Sequence, residues 1–184
     1  MRKKCLFLWK GCGNVFETGD YIVYGSTGIC QVMGVTTMDI DGIPKDRLYY
    51  VLRPEGQRDG KIFTPVENGK LVMRRVMTQK DAEALINEIP EIETLDISDD
   101  KLREERYKEC LRTCESREMI RIIKTIYLRK KDRFAKGKKV TATDERYLKQ
   151  AEENLYSELS MLLGVPKNDM EQYITERLDR VRKV

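Results

Sequence analysis

The stretch from Phe16 to Asn68 constrains the fold more than any other. It reads FETGDYIVYGSTGICQVMGVTTMDIDGIPKDRLYYVLRPEGQRDGKIFTPVEN, a series of short β-type segments punctuated by glycine. Tyr21 to Tyr24 is aromatic and β-branched throughout and ends at Gly25. Ile29 to Ile40 is a longer strand interrupted at Gly34, the mark of a bulge or bend. Asp41-Gly42 is a turn signal, Leu48 to Leu52 a strong strand ended by Pro54 and Gly56, and Lys61 to Thr64 a short one stopped by Pro65. Asn68-Gly69 then turns the chain into Leu71 to Val76. Such a run predicts a small, strongly bent sheet or partly open barrel, and a sheet of this kind can leave an edge strand free for a partner's strand.

From Thr78 the hydrophobic period becomes helical. Thr78 caps a helix with Asp81 at its third position, Ala82, Leu85, Ile86 and Ile89 as its stripe, and Pro90 as its stop. Glu91 to Asp100, ending in Ser98, Asp99 and Asp100, reads as an acidic linker, and Leu102 to Leu111 as a second helix. Ser116 opens a third, whose Met119, Ile120, Ile122, Ile123, Ile126 and Tyr127 cover much of its circumference and predict a central, buried position. Arg129 to Lys139 reads as a polar loop or frayed end containing Gly137. Thr143 caps a long helix that Gly164 closes, and Pro166 starts the last one. The expected class is α+β, a small N-terminal sheet followed by an all-helical part of about five helices. The expected boundaries are 1–15, 16–77 and 78–184.

Residues 1–15, MRKKCLFLWKGCGNV, share neither the strand pattern nor the helical period of the remaining chain. Three readings stand: a disordered basic arm, a short appended helix, or an upstream extension from a misplaced start, since Val15 is compatible with an alternative initiator codon. The apolar patch is too short for a secretory signal, and no apolar run reaches the ~20 residues that span a bilayer.

The formal charge is +4, and its distribution says more than its sum. Residues 15–77 balance, 78–100 hold eight acids against one lysine, and 101–149 hold seventeen bases against eight acids. A basic block flanked by acidic ones suits a local surface that faces a polyanion; solvated helix faces are the plain alternative. There is no histidine, which excludes Ser-His-Asp triads and disfavours metal sites. None of the five cysteines has C-x-x-C spacing, and all read as reduced thiols of a cytoplasmic protein. No Walker sequence or G-x-G-x-x-G follows a strand, and the adjacent carboxylates Glu104-Glu105 and Glu152-Glu153 point apart on helices. The sequence therefore predicts a protein that is not an enzyme, takes no cofactor or metal, and has no small-molecule substrate.

The order of elements, with GDYIVYGSTGICQV, LYYVL, IFTPVEN, RYKECL and TDERYLKQAEENLYSELS, resembles the CarD/CdnL family of bacterial transcription regulators from about Phe16 to Leu163. The resemblance implies a Tudor/SH3-like domain that binds the RNA polymerase β subunit, as in the transcription-repair coupling factor. It also implies a helical domain that contacts promoter DNA near the upstream edge of the bubble, without sequence-specific readout, and so stabilises the open complex. The expected partners are the β subunit and promoter DNA, with no membrane, and the expected state is a monomer. Phosphate contacts position a protein without reading bases. The residues expected to make them are Arg103, Arg106, Lys108, Arg112, Arg129, Lys130 and Arg146, with Lys131 and Arg133 nearby; Lys108, in the R-Y-K match, is foremost, and Tyr107 is expected in the core.

Two departures stand out. The tryptophan wedge of some family members aligns with Arg103, beside Leu102, and no aromatic replaces it. The positions matching the family's polymerase-binding arginines are Met38 and Phe63. The edge is therefore expected to dock through Met38 and Phe63 with Arg47, Arg53, Arg58 and Lys61 as charged rim. The missing wedge keeps open a module that binds polymerase and recruits another protein. A weaker reading, an RNA binder, requires Tyr21, Tyr24, Tyr49 and Tyr50 to be exposed, and strand alternation places about half of them inside.

Overall fold

A computed structural model describes residues 16–39, 45–57, 59–67, 72–97 and 99–182. The segment 1–15, the turns Asp41-Gly42 and Asn68-Gly69, the strand ends Ile40 and Leu71, and Arg58 and Ser98 lie outside the described residues.

The β-type run folds into five antiparallel strands: β1 Tyr21–Tyr24, β2 Gly28–Thr37, β3 Leu48–Pro54, β4 Ile62–Pro65 and β5 Met73–Arg75. Their order is β4-β3-β2-β1-β5, an open sheet and not a closed barrel. The interruption expected at Gly34 is a register shift between Val32 and Gly34 on β2 against β3. Pro54 and Pro65 are the last residues of β3 and β4, opposite Cys30 and Tyr49, where the sequence placed them beyond the strands. A proline at a strand's end is tolerated because it need not donate to the ladder.

One face of the sheet carries Ile22, Tyr24, Cys30, Val32, Tyr50 and Leu52, which close over Phe16. The Phe16 backbone N–H donates to the Tyr50 hydroxyl at 3.1 Å and so ties down the start of the module. The pleat sends Val23, Ile29, Gln31, Val51, Arg53 and Phe63 to the other face. Val23 and Ile29 are buried there although they stand outside the first cluster, because the helical part covers that end.

Five helices complete the fold: α1 Gln79–Glu88, α2 Arg103–Thr113, α3 Ser116–Ala135, α4 Ala142–Leu163 and α5 Met170–Arg182. Thr78 forms the full capping box with Asp81, and a 3-10 turn at Ile89–Glu91 carries Pro90. Tyr107, Ile122, Ile126, Leu159 and Met170 are among the most enclosed members of a second hydrophobic cluster, and α3 is central to it as expected.

Four local readings change. The acidic stretch after Pro90 is a strap and not a loose linker: Ile92 and Leu95 are buried, and the Leu95 N–H donates to Thr125 Oγ1 at 2.8 Å. α3 continues to Ala135, so most of Arg129 to Lys139 is helix; Gly137, at φ 66°, supplies the left-handed turn beyond its end. The cap of α4 is Thr141, whose Oγ1 accepts from the Asp144 N–H at 3.1 Å, and Thr143 sits inside the first turn. Both threonines lie near the start of the helix, but only Thr141 stands three residues before an acid, which suits a cap. A 3-10 turn at Lys167–Asp169 separates Pro166 from α5.

Candidate functional site

The two ends of the sheet meet different surroundings. At the β5 end, Arg74 pairs with Val23 across the strands and so shares the face that turns to the helices. Its guanidinium binds Glu158 of α4 in a bidentate pair, 2.7 Å on each arm. It also donates to Ser116 Oγ at 2.9 Å and to the Cys114 carbonyl at 2.7 Å. Glu158, only 1% exposed, accepts further bonds from Ser116 Oγ and from the Met77 N–H. Burial is the largest single influence and works against the Arg74 charge, but the hydrogen bond and charge of Glu158, with the charge of Glu115, together outweigh it and raise its pKa. Cys114 completes the joint: it holds a left-handed conformation at φ 57°, and its Sγ donates to the Gly25 carbonyl at 3.5 Å. Strand β5, the α2–α3 turn and the C-terminal third of α4 are thus held by one charged network with every partner supplied. No reading of the sequence found it. The signal was a lone carboxylate, Glu158, on the apolar stripe of Ala151, Leu155 and Leu159, which demands a buried cation.

At the opposite end, β4 pairs with β3 alone among the described strands. Phe63, opposite Val51, is 44% exposed, and Leu48 at the start of β3 is exposed too. Of the other residues expected at a docking edge, Lys61 directly precedes β4 and Arg47 precedes β3, both exposed. The Arg47 guanidinium lies over the Tyr49 ring, 5.8 Å from its centroid. Arg53 is half-buried and donates to Gln31 Oε1 at 2.6 Å on the face that carries Phe63. Met38, half-buried, lies just past the end of β2. Strand pairing therefore brings Phe63 and Arg53 onto one face, with Lys61 and Arg47 at the strand starts.

The basic residues of the helices fall into two groups. Arg103 and Arg129 turn inward. Arg103 Nε lies 3.1 Å from Asp144 Oδ1, and Arg129 Nη1 lies 3.0 Å from Asp100 Oδ1. Asp144 is buried and also accepts from the Tyr107 hydroxyl at 3.3 Å; burial above all, and then the Asp144 charge, push that phenol upward. Asp100 is held below the usual carboxylate range, first by its hydrogen bond from Arg129. Tyr107 is fully buried, as expected. The second group is exposed. Lys108 and Arg146 both reach Glu104, at 3.0 and 2.9 Å, and Arg106 reaches Glu109 at 3.0 Å. Arg112 and Lys130 are exposed, and their side chains make no hydrogen bond or salt bridge with other described residues. At the wedge position the Arg103 side chain is only 13% exposed and committed to Asp144, whereas Leu102 beside it is 47% exposed.

Residues 16–77 match the family model of the CarD-like/TRCF RID domain. The chain carries a CarD-like domain. The match takes in Phe16, all five strands and the junction residue Arg74, and it stops before α1. No curated protein matches the chain significantly. The RID domain is an RNA-polymerase-interacting module, so the matched family is one of interaction domains tied to transcription and not a known enzyme family.

Within the CarD-like domain Tyr24, Tyr49 and Tyr50 are buried and Tyr21 alone is exposed, so the aromatic platform that an RNA binder of this type needs is missing. Cys30, Cys110 and Cys114 are free, buried thiols; burial pushes Cys30 up to about 11 and Cys110 up to about 12. Among the described residues no cluster could hold a metal ion, and no helix is long and apolar enough to cross a membrane.

Proposed function

We propose that this chain is a transcription regulator that docks on the RNA polymerase β subunit through the β4 edge of its CarD-like domain. It then sets its helices against promoter DNA near the upstream edge of the bubble, without sequence-specific readout, and stabilises the open complex. The observation that carries the reading is the family match over the whole sheet. The β4 edge, where Phe63 is exposed and β3 is the one partner among the described strands, supports strand addition, in which main-chain bonds give affinity and Phe63 with its charged rim gives specificity. The Arg74–Glu158 network supports the coupling of the two parts, because docking the sheet then fixes where the helices point. On the helical side Lys108, Arg112, Lys130 and Arg146 supply the phosphate contacts, and Leu102 is the apolar side chain at the wedge position.

Lys108→Glu with Arg112→Glu and Lys130→Glu tests the DNA arm. The lifetime of open complexes should shorten while polymerase binding survives; an unchanged lifetime rules out the DNA contact. A second reading has its own support. Arg103, Arg106, Lys108, Arg129 and Arg146 all have carboxylate partners inside the chain, which lowers the charge left for phosphates. In that reading the helices recruit another protein, and a footprint of the polymerase–promoter complex stays the same with and without the chain.

A further inference from the structure

The C-terminal half of α3 presents two aromatic rings to solvent. Tyr127 is 64% exposed and Phe134 59% exposed, the two most exposed large hydrophobic side chains among the described residues. They stand seven residues apart on one helix, which places them on the same face, roughly 10 Å apart along the axis. Lys131 lies on that face between them. Lys130, Lys131, Lys138 and Lys139 are all exposed, and the lone acid of the segment, Asp132, is already neutralised by Lys136 at 2.8 Å. The lysines alone would be explained by the negative end of the helix dipole. The rings would not: they contribute nothing to that end effect, and their exposure leaves apolar area in water.

We propose that this face binds single-stranded nucleic acid, with Tyr127 and Phe134 each stacking on a base and the surrounding lysines tracking the phosphates. Alternating rings and cations are what such a strand requires, since every base has a π-face and the backbone is a polyanion. The ring spacing matches about three stacked-base steps of roughly 3.4 Å. A duplex offers no free π-face, so the site selects an unpaired strand, as at the edge of a melted bubble. The inference deepens the DNA-contacting reading above and rests on it. It is independent of the wedge position, which lies on α2.

The test compares the full chain with Tyr127→Ala/Phe134→Ala on a fluorescent oligo-dT strand and on a duplex of equal length. The double variant should lose about tenfold or more on the single strand and less than about twofold on the duplex. The slope of affinity against salt should stay unchanged, because no charge is removed. A ring-keeping variant, Tyr127→Phe/Phe134→Tyr, should bind the single strand as the parent does. Equal losses on both substrates, or no loss on either, overturn the proposal. So does a double variant that keeps its oligo-dT affinity and instead fails to retain a protein of the transcription complex. Unchanged oligo-dT binding with a shortened open-complex lifetime in the Lys108, Arg112 and Lys130 reversal would sink the stacking site and leave the DNA-contacting reading standing. A parent chain that binds neither substrate and does not prolong open complexes would sink both.

Discussion

The two end strands of the sheet, β4 and β5, have been given opposite tasks. Each pairs with a single neighbour among the described strands. β5 is covered: Arg74 carries its charge into a pocket formed by Glu158, Ser116 and the Cys114 carbonyl, and every polar atom there finds a partner. At β4, which pairs with β3 alone among the described strands, Phe63 is exposed and exposed cations stand at the strand starts. An uncovered edge is an aggregation hazard that proteins cover or blunt unless it has a partner. Here one end is tied to the helices by the chain itself, and among the described residues no comparable tie holds the other, which is the end proposed above for another molecule.

The sharpest way to break this contrast is to disarm the closed end. Arg74→Met strands the Glu158 carboxylate, and removing one partner of a buried ion pair costs about 3–5 kcal/mol. Urea unfolding should show that loss, and a value within ~0.5 kcal/mol would mean that the network is not what closes β5. A smaller loss, about 1–3 kcal/mol, is expected for Asp144→Asn, which deprives Arg103 and Arg129 of a buried anion within the helices and touches neither end of the sheet. Polymerase binding should survive in that variant once it is folded. Phe63→Asp should do the reverse. Its stability should change by no more than about 0.5 kcal/mol, since the ring is exposed, while affinity for the β subunit in a pull-down or titration should fall about tenfold. The smallest effect concerns acid. Asp100 has its pKa lowered on folding, so its contribution is complete above its ordinary value of 3.8 and is lost as pH falls through the depressed one. Thermal melts should therefore be insensitive to this group from neutral pH to about 5 and decline only below about 4.

Much of this contrast is legible in the residues alone. The strands can be read because Tyr21–Tyr24, Leu48–Leu52 and the glycines and prolines around them leave little but short β segments, and so small a set predicts the open sheet that is found. The Thr78 cap and the Gly164 stop are legible for the same local reason. What stays hidden is non-local. Arg74 looks like any strand cation, and Glu158, though it stands on the apolar stripe of α4, has no visible cation partner until α4 is laid against β5. The same holds for Arg103 and Arg129. Their spacing marks them as surface bases of a basic block, and only the meeting of Asp100 with Asp144, far along the chain from Arg103, holds them against the helices. The strap from Ile92 to Leu95 is masked by its acids, because two buried side chains in so short a stretch leave no period to detect.

The central claim is that the β4 edge takes up the polymerase while the β5 end stays closed. Hydrogen exchange on the full chain, alone and with the isolated β subunit, tests it directly. Peptides covering Lys61 to Val66 should exchange more slowly in the complex, as new main-chain bonds form along β4, while peptides covering Met73 to Met77 should exchange at the same rate in both. Unchanged exchange at β4, with new protection confined to α2 and α3, would be incompatible with docking at the sheet and would move the contact surface to the helices.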